Sequence, residues 1–155
     1  MIQHLHSIIC VRSILDKNTG LASYIDVIEG ITLTESEKIT LPPFTLVSKF
    51  WIKNGIEDNK ILDIEVLRRK TGKTRSILLQ EMSFPIEKKG ENILINLEVQ
   101  NLTLESAGLW EFEIRWRIKD VGNWKKGSII PLNVIIQKNL PGKHMGTKMA
   151  ETKEK

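Results

Sequence analysis

The sequence predicts an all-β domain, a two-sheet antiparallel sandwich of about eight strands. Its dominant periodicity is two. It is clearest in Trp110–Lys119, where every second residue from Trp110 to Ile118 is apolar and the residues between are charged. Successive side chains of a strand point to opposite faces of a sheet, so this segment predicts a strand with one buried face. Similar segments recur about every 10–15 residues with hardly any helix between them, which favours antiparallel hairpins.

The remaining strands are predicted from alternation or from β-branched composition. Alternating apolar and polar residues mark three segments: Leu62–Val66, Ile93–Val99 and Ile130–Ile136. Apolar, β-branched runs mark four more: Leu5–Ile14, Tyr24–Leu33, Phe44–Ile52 and Ser76–Phe84. The residues expected to face the core are Leu62, Ile64, Val66, Ile93, Ile95, Leu97, Trp110, Phe112, Ile114 and Trp116.

Turn residues separate these strands, and Lys70-Thr-Gly-Lys73 is predicted to be a hairpin turn. Pro131 has no backbone N–H to donate, which predicts that its strand lies at a sheet edge. The one candidate for a short helix is Leu102–Ala107. Residues 1–137 are assigned to the β-sandwich domain. Residues 138–155, rich in Gly, Lys and Thr without an apolar pattern, are predicted to be a disordered basic tail.

The composition is that of an ordinary globular protein, and 155 residues fit one domain. Cys10 is the one cysteine, so no internal disulfide can form, which favours a reducing compartment. The first residues lack the pattern of a signal peptide and no apolar run is long enough to span a bilayer, so a cytoplasmic location without a membrane partner is expected. The net charge of +4 resides mostly in residues 138–155, which contain five lysines and two glutamates.

A short motif resembles the late strands of immunoglobulin-type sandwiches. In Glu105-Ser-Ala-Gly-Leu-Trp-Glu-Phe112, an acidic turn and a glycine precede an aromatic residue, and a core residue follows two positions later. The resemblance implies that Trp110 takes the place of the corner tyrosine and Phe112 that of the second cysteine. It also implies that Trp51 stands where the core tryptophan of these folds lies. The predicted sandwich is therefore of immunoglobulin-like type.

A second, looser resemblance covers about residues 8–136. Cys10-Val-Arg-Ser-Ile-Leu-Asp-Lys-Asn-Thr-Gly-Leu21, Leu41-Pro-Pro-Phe-Thr-Leu-Val47 and Gly108-Leu-Trp-Glu-Phe-Glu-Ile114 are similar to segments of a family of uncharacterised bacterial single-domain β-sandwich proteins. Cys10-Val-Arg12 replaces the C-x-x-V-R spacing of that family. The resemblance implies a sandwich fold and a cytoplasmic bacterial origin, and it implies no activity.

Candidate reactive residues are few. His4, His6 and Cys10 have the same parity along the first predicted strand, so their side chains are expected to share a face. Two such histidines could ligate a metal, although an exposed strand edge is the favoured interpretation. Cys10 has apolar neighbours and is expected to pack in the interior rather than act as a nucleophile. With no phosphate-binding glycine loop or clustered carboxylates, no catalytic, cofactor or metal site is assigned, and the chain is predicted not to be an enzyme.

The strongest functional feature is a basic hairpin. Residues 68–75 contain five positive charges and no negative one at a predicted tip, and a second basic group follows at Trp124-Lys-Lys126. Trp124 is expected either to be exposed or to fold over the end of the core. The predicted interaction surface consists of Arg68, Arg69, Lys70, Lys73, Arg75, Trp124, Lys125 and Lys126.

Two functions are compatible with this surface. The preferred hypothesis is a noncatalytic protein-interaction module of unknown pathway, with an unidentified protein as partner and no cofactor. The alternative is an accessory protein that contacts nucleic acid through the 68–75 hairpin, because basic side chains neutralise phosphates and an exposed tryptophan can stack on a base.

Overall fold

A computed structural model describes residues 2–16, 21–34, 39–53, 60–86 and 92–137. These residues form eleven strands and no helix, so the all-β prediction is confirmed. The strands are β1 (Ile2–Leu15), β2 (Ala22–Val27), β3 (Gly30–Thr34), β4 (Ile39–Thr40), β5 (Phe44–Ile52), β6 (Ile61–Lys70), β7 (Ile77–Pro85), β8 (Asn92–Val99), β9 (Thr103–Leu104), β10 (Gly108–Ile118) and β11 (Lys125–Gln137). Within these ranges no membrane-spanning helix occurs. The predicted tail, residues 138–155, lies outside the described residues.

The strands form three sheets, with the orders β2-β1-β5-β8, β3-β11-β10-β6-β7 and β4-β9. Every pair is antiparallel except β3 and β11, so the prediction of a purely antiparallel arrangement is wrong at this pair. The predicted single strand Tyr24–Leu33 is also wrong, because its pairing with β1 ends at Val27 and its pairing with β11 begins at Gly30. Asp26, with a φ of 51°, introduces the irregularity before the crossing, and aspartate tolerates this conformation better than most residues.

The inner faces of the two larger sheets share one hydrophobic core. Edge-to-face ring contacts cross between β5 and β10, with centroids 5.7 Å apart for Phe44 and Phe112 and 6.2 Å apart for Phe50 and Trp116. Nine of the ten residues predicted to face inward are buried, and the tenth, Ile93, is half-buried and packs against the core. The prediction of inward faces is confirmed because period-two alternation fixes the face of a strand wherever its register is regular.

Trp51 does not occupy the core position that the immunoglobulin resemblance implied. Its side chain is 40% exposed, whereas Phe50 is fully buried. Phe50 and Ile52 both face the core, so Trp51 between them must point to the opposite face. There the Lys53 ammonium lies 5.2 Å from the centre of the indole ring.

The predicted short helix at Leu102–Ala107 is also wrong. Thr103 and Leu104 form β9, which pairs with β4, and Leu41 N–H donates to the carbonyl of Leu102 at 2.9 Å. Six residues cannot offset the cost of nucleating a helix, and pairing with β4 satisfies their backbone groups instead. This segment then enters β10 through Gly108, whose φ of 121° is strained for any other residue.

Only the part of β11 around Pro131 lies at an edge of the sheet. The strand runs between β3 and β10, so it is not an edge strand as predicted. Pairing with β3 begins at Asn133, however, and Pro131 itself faces only Glu111 of β10. The missing N–H therefore lies where the second neighbouring strand has not yet begun.

Candidate functional site: a cationic cleft

The predicted basic hairpin connects β6 to β7. Lys73 N–H donates to the carbonyl of Lys70 at 3.0 Å, and Gly72 at the third position of this turn has a φ of 80°. A positive φ at that position is typical of a type II turn and explains the glycine. The prediction of a hairpin turn at Lys70–Lys73 is confirmed. A bulge between Val66 and Leu67 precedes the turn.

The hairpin forms one wall of a cleft at the end of the sheet. The opposite wall comes from the link between β9 and β10 and from the start of β10. The volume of the cleft is about 320 Å³. Its lining consists of Arg68, Arg69, Lys70, Lys73, Arg75, Ile77, Glu105, Ser106 and Trp110. All five cations of the predicted hairpin surface therefore line the same cleft, together with one carboxylate among the described residues.

Arg68 is the most enclosed of these cations, with 11% of its side chain exposed. One terminal nitrogen donates to the carbonyl of Thr103 at 2.9 Å and the other to Glu105 Oε1 at 3.0 Å. Its guanidinium carbon lies 5.5 Å from the centre of the Trp110 ring. The Nε atom is buried and finds no hydrogen-bond partner among the described residues. Arg68 therefore joins the hairpin to the β9–β10 link, but its hydrogen-bonding capacity is not exhausted.

Arg69 and Lys70 also contact the segment that leads into β10. Arg69 Nε donates to Glu111 Oε2 at 3.0 Å, and a terminal nitrogen of the same guanidinium contacts the same oxygen. Lys70 Nζ donates to Ser106 Oγ at 2.6 Å. These two cations therefore have partners supplied by the adjacent strand and loop. Their first role is to hold the two walls of the cleft together.

Lys73 and Arg75 differ from the other three cations. Both are exposed. Within the described ranges neither side chain makes an ion pair, a hydrogen bond or a ring contact. Since Glu105 and Glu111 are engaged by Arg68 and Arg69, the charges of Lys73 and Arg75 are the ones that remain available to another molecule.

Trp110 forms the apolar floor of the cleft but offers no free ring face. Its side chain is 3% exposed, and its indole Nε1 donates to the carbonyl of Ser106 at 3.1 Å. The Arg68 guanidinium lies over the ring. Stacking of a nucleic-acid base on this tryptophan would require the arginine to move.

The second predicted basic group lies at the other end of the sheet. Lys125 pairs with Trp116, whereas Lys70 of the hairpin pairs with Trp110, six residues earlier on β10. At about 3.4 Å per residue the two groups are roughly 20 Å apart along the strand. The structure therefore separates the sequence-predicted surface into two parts.

Within that second group, Trp124 and Lys125 already have neighbours. Trp124 is half-buried, and the Arg117 guanidinium lies 4.4 Å from the centre of its ring. The ammonium group of Lys125 lies 4.9 Å from the ring of Trp116. Trp124 is thus neither a free exposed ring nor a buried lid over the core.

The outer face of the five-stranded sheet carries a network of paired charges. Arg115 Nε donates to Glu113 at 2.8 Å, and Arg117 Nε donates to Asp63 at 3.0 Å. The hydrogen bond from Arg115, against the opposing effect of burial, holds the pKa of Glu113 below its ordinary value. Burial raises the pKa of Glu65, and repulsion from Glu81 adds to the rise. This face is therefore electrically mixed and does not extend the cationic surface of the cleft.

His4 and His6 do not form the shared face that the sequence predicted. A bulge between them places His4 opposite Phe50 and His6 opposite Lys49, which lie on opposite faces of the sheet. His4 Nε2 is 2.8 Å from Ser7 Oγ, and His6 Nε2 is 3.0 Å from the Tyr24 hydroxyl. In the part of the chain that the structure describes, no three ligand-type side chains are grouped to hold a metal.

Cys10 is fully buried, as predicted, and its sulfur lies 3.7 Å from the carbonyl of Thr45. Burial raises the pKa of its thiol. A thiol that is both inaccessible and harder to ionise is a poor nucleophile.

The lining residues that the predicted interaction surface missed are Ile77, Glu105, Ser106 and Trp110, the last of which was predicted only as a core residue. Glu105 and Ser106 lie in the segment that resembles an immunoglobulin corner, so their positions in the chain were noted but not their proximity to the hairpin. A hairpin with five cations and no acid indicates that counter-ions come from elsewhere in the chain. Which acids supply them depends on the pairing of β6 with β10, which the sequence does not give.

Comparison with known proteins does not identify a family. The chain matches no protein-family model and no curated protein. Among solved structures it is similar to parts of a beta-glucosidase from Listeria innocua. With glucose bound, the TM-score is 0.45 at 11% identity, over 70% of this chain and 15% of that chain. For a second structure of the same enzyme, the TM-score is 0.45 at 12% identity, over 73% of this chain and 15% of that chain. With gluconolactone bound, the TM-score is 0.39 at 8% identity, over 85% of this chain and 17% of that chain. The chain thus spans less than a fifth of those proteins, and similarity this low supports no inference about its activity.

Proposed function

We propose that the chain is a noncatalytic protein-interaction module that binds an acidic segment of a partner protein in the cationic cleft. The observation that carries this proposal is the pair of exposed cations, Lys73 and Arg75, which line the cleft without a partner among the described residues. Every other cation of the cleft is engaged within the chain. Unneutralised charge at a concave surface attracts a partner of opposite charge and fixes its orientation.

We further propose that the protein is cytoplasmic and that an immunoglobulin-like sandwich forms the scaffold of the cleft. The order β11-β10-β6-β7 corresponds to the G-F-C-C′ order of variable-type domains. The hydrogen bond from Trp110 Nε1 to the carbonyl of Ser106, four residues earlier, is comparable to the backbone bond of the corner tyrosine. A single buried thiol suits a reducing compartment. In such a scaffold, loops at one end of the sheets present the binding surface.

A protein ligand fits the cleft better than nucleic acid. Binding along a phosphate backbone requires an extended basic stripe and, on single strands, free aromatic faces. The two basic groups lie roughly 20 Å apart at about 3.4 Å per residue, with the mixed charges of the outer face between them. Trp110 and Trp124 are both covered by arginine side chains. Nucleic acid remains the second candidate because five cations line one cleft.

A noncatalytic role also gives a structural purpose to a hydroxyl–amine pair in the cleft. Lys70 and Ser106 are 2.6 Å apart, a spacing that also occurs between a nucleophile and its base. Here the pair joins the two walls of the cleft. We expect the wild-type protein to hydrolyse p-nitrophenyl acetate no faster than the Ser106→Ala variant. Turnover that this substitution abolishes would contradict the noncatalytic assignment.

A peptide library tests the proposed function directly. Random dodecapeptides are selected on the purified wild-type protein alone, and the affinity of the enriched peptides for Lys73→Gln/Arg75→Gln is then measured. We expect the enriched peptides to contain clustered Asp and Glu and to lose at least about tenfold in affinity for that double variant, since it removes both free charges. Lys125→Gln/Lys126→Gln, which removes the same charge at the other end of the sheet, is expected to bind them normally. Enriched peptides that bind both double variants alike would refute the assignment.

The nucleic-acid alternative makes a separate prediction. If the five cations of the cleft contacted phosphates, binding of a random single-stranded oligonucleotide would weaken with salt with a log–log slope of about −2 to −3.5 for three to five contacts. We expect no measurable binding at physiological salt. Binding with that slope, lost in Lys73→Gln/Arg75→Gln, would favour nucleic acid over a protein partner.

A further inference from the structure

Glu105 is the one carboxylate that lines the cleft among the described residues. Its side chain is 60% exposed, although its oxygen lies 3.0 Å from a terminal nitrogen of Arg68. An ion pair with one partner this exposed is screened by solvent and contributes little to stability. The contact is therefore easily exchanged for one with another anion.

Resting on the proposed function, we propose that Glu105 is an internal competitor of the ligand: a carboxylate of the bound acidic segment replaces Glu105 on Arg68. The cleft would then hold the segment through Arg68 at its inner end and through Lys73 and Arg75 at its exposed end. Glu105 sets the affinity of the site by occupying the inner position when no ligand is bound.

Arg68 is suited to such an exchange because Glu105 is not what holds it in place. The other terminal nitrogen donates to the carbonyl of Thr103 at 2.9 Å, and the guanidinium lies against the Trp110 ring. The arginine thus keeps its position when Glu105 leaves. Its buried Nε–H has no acceptor among the described residues, so one donor of the guanidinium is unused.

The presence of several cations in the cleft favours a ligand with more than one carboxylate. Arg68 is 11% exposed, and a single carboxylate that reached it would have to displace Glu105 without any other gain. A segment with several acidic residues also engages the free cations Lys73 and Arg75, and these added contacts favour the exchange. The ligand class is therefore an acidic peptide segment rather than a lone anion.

The test measures binding of a fluorescein-labelled deca-glutamate peptide by anisotropy at low salt. The critical variant is Glu105→Gln, which keeps the length of the side chain and an oxygen acceptor for Arg68. Asp120→Asn is the matched control. It removes one exposed negative charge at the far end of β10, where the residue has a φ of 62° that asparagine also tolerates. Lys73→Gln/Arg75→Gln and a single-stranded decathymidylate complete the set.

We expect Glu105→Gln to bind the peptide about two- to fivefold more tightly than the wild type, the factor that corresponds to one exposed ion pair. Asp120→Asn should stay within about 1.5-fold of the wild type, and raising the salt should reduce the gain. Equal affinities of Glu105→Gln and Asp120→Asn would overturn the competitor role. The proposed function would survive that result if Lys73→Gln/Arg75→Gln still abolished binding.

Two other outcomes would overturn more than the competitor role of Glu105. If Lys73→Gln/Arg75→Gln bound the peptide like the wild type, or if no variant bound it, both the proposed function and the role of Glu105 would be lost. If Glu105→Gln gained affinity for decathymidylate but not for the peptide, the ligand would be nucleic acid and the acidic-segment assignment would be wrong.

Discussion

Asp63 is the most buried carboxylate among the described residues, at 2% exposed, and it tests the charge network on the outer face of the five-stranded sheet. It lies near the start of β6, on the face that points away from the core. The Ser83 hydroxyl donates to Oδ1 at 2.7 Å from β7, and Arg117 Nε donates to Oδ2 at 3.0 Å from β10. Burial alone would raise the pKa of Asp63. The hydrogen bonds and the positive charge of Arg117 outweigh it and hold the pKa below the ordinary value.

Asp63→Asn keeps the size of the side chain but replaces one acceptor oxygen with an NH₂ group. The asparagine oxygen can still accept from Arg117, and its NH₂ group can donate to the Ser83 hydroxyl, so both bonds persist but lose the negative charge. Because a hydrogen bond to a charged group contributes about 1.5–3 kcal/mol and one between neutral groups about 0.5–1.5 kcal/mol, the loss of the charge costs about 1–3 kcal/mol. Arg117 is 34% exposed and water can reach it, which favours the lower half of that range, about 1–2 kcal/mol. We expect the melting temperature to fall by about 2–6 °C for a domain of this size.

The loss of stability caused by Asp63→Asn should be larger at neutral pH than at acidic pH. A carboxylate whose pKa is lower in the folded state stabilises the fold above its unfolded pKa of about 4. This contribution disappears as the pH falls through the folded pKa of Asp63, because the wild-type group then becomes neutral too. The stabilities of wild type and Asp63→Asn should therefore converge below about pH 4.

Urea unfolding followed by tryptophan fluorescence at pH 7 and pH 3 measures both quantities. Asp120→Asn, an exposed substitution of the same kind, is expected to change stability by less than about 0.5 kcal/mol. A stability for Asp63→Asn within about 0.3 kcal/mol of wild type at pH 7 would refute the proposed role of the hydrogen bonds. A difference that persisted unchanged at pH 3 would refute the charge argument.

Three further predictions concern the walls of the cleft and the interior. Trp110→Phe removes the donor to the carbonyl of Ser106 and should destabilise by about 1–3 kcal/mol, whereas Trp51→Phe at an exposed site should change stability by less than about 0.5 kcal/mol in the same urea titrations. Gly108→Ala forces a side chain into a φ of 121° and should lower stability by at least about 1 kcal/mol in calorimetry; a neutral result would contradict the strained backbone. Cys10 should react with a thiol reagent only at the rate of unfolding, and fast labelling of the native protein would show that it is accessible.

The sequence predicted the strands and their inward faces well because these depend on local alternation. On β10 the apolar residues from Trp110 to Trp116 all face the core, as their spacing requires. The wrong predictions concern segments in which the local alternation is interrupted or in which one apolar run is divided between two strands. A bulge separates His4 from His6, and the parity of Phe50 and Ile52 turns Trp51 outward. The Tyr24–Leu33 run reads as one strand, yet it divides between two sheets.

The candidate site shows the same division between sequence and tertiary structure. The sequence by itself determined that five cations lie in one hairpin, because residues 68–75 are adjacent in the chain and close on a glycine turn. Only the tertiary structure decided which of those charges are free. The acids that engage Arg68 and Arg69 lie 37 and 42 residues away in the chain. They reach the hairpin because β10 pairs with β6, a long-range contact set by packing of the core rather than by any local pattern, and this pairing leaves Lys73 and Arg75 without partners among the described residues.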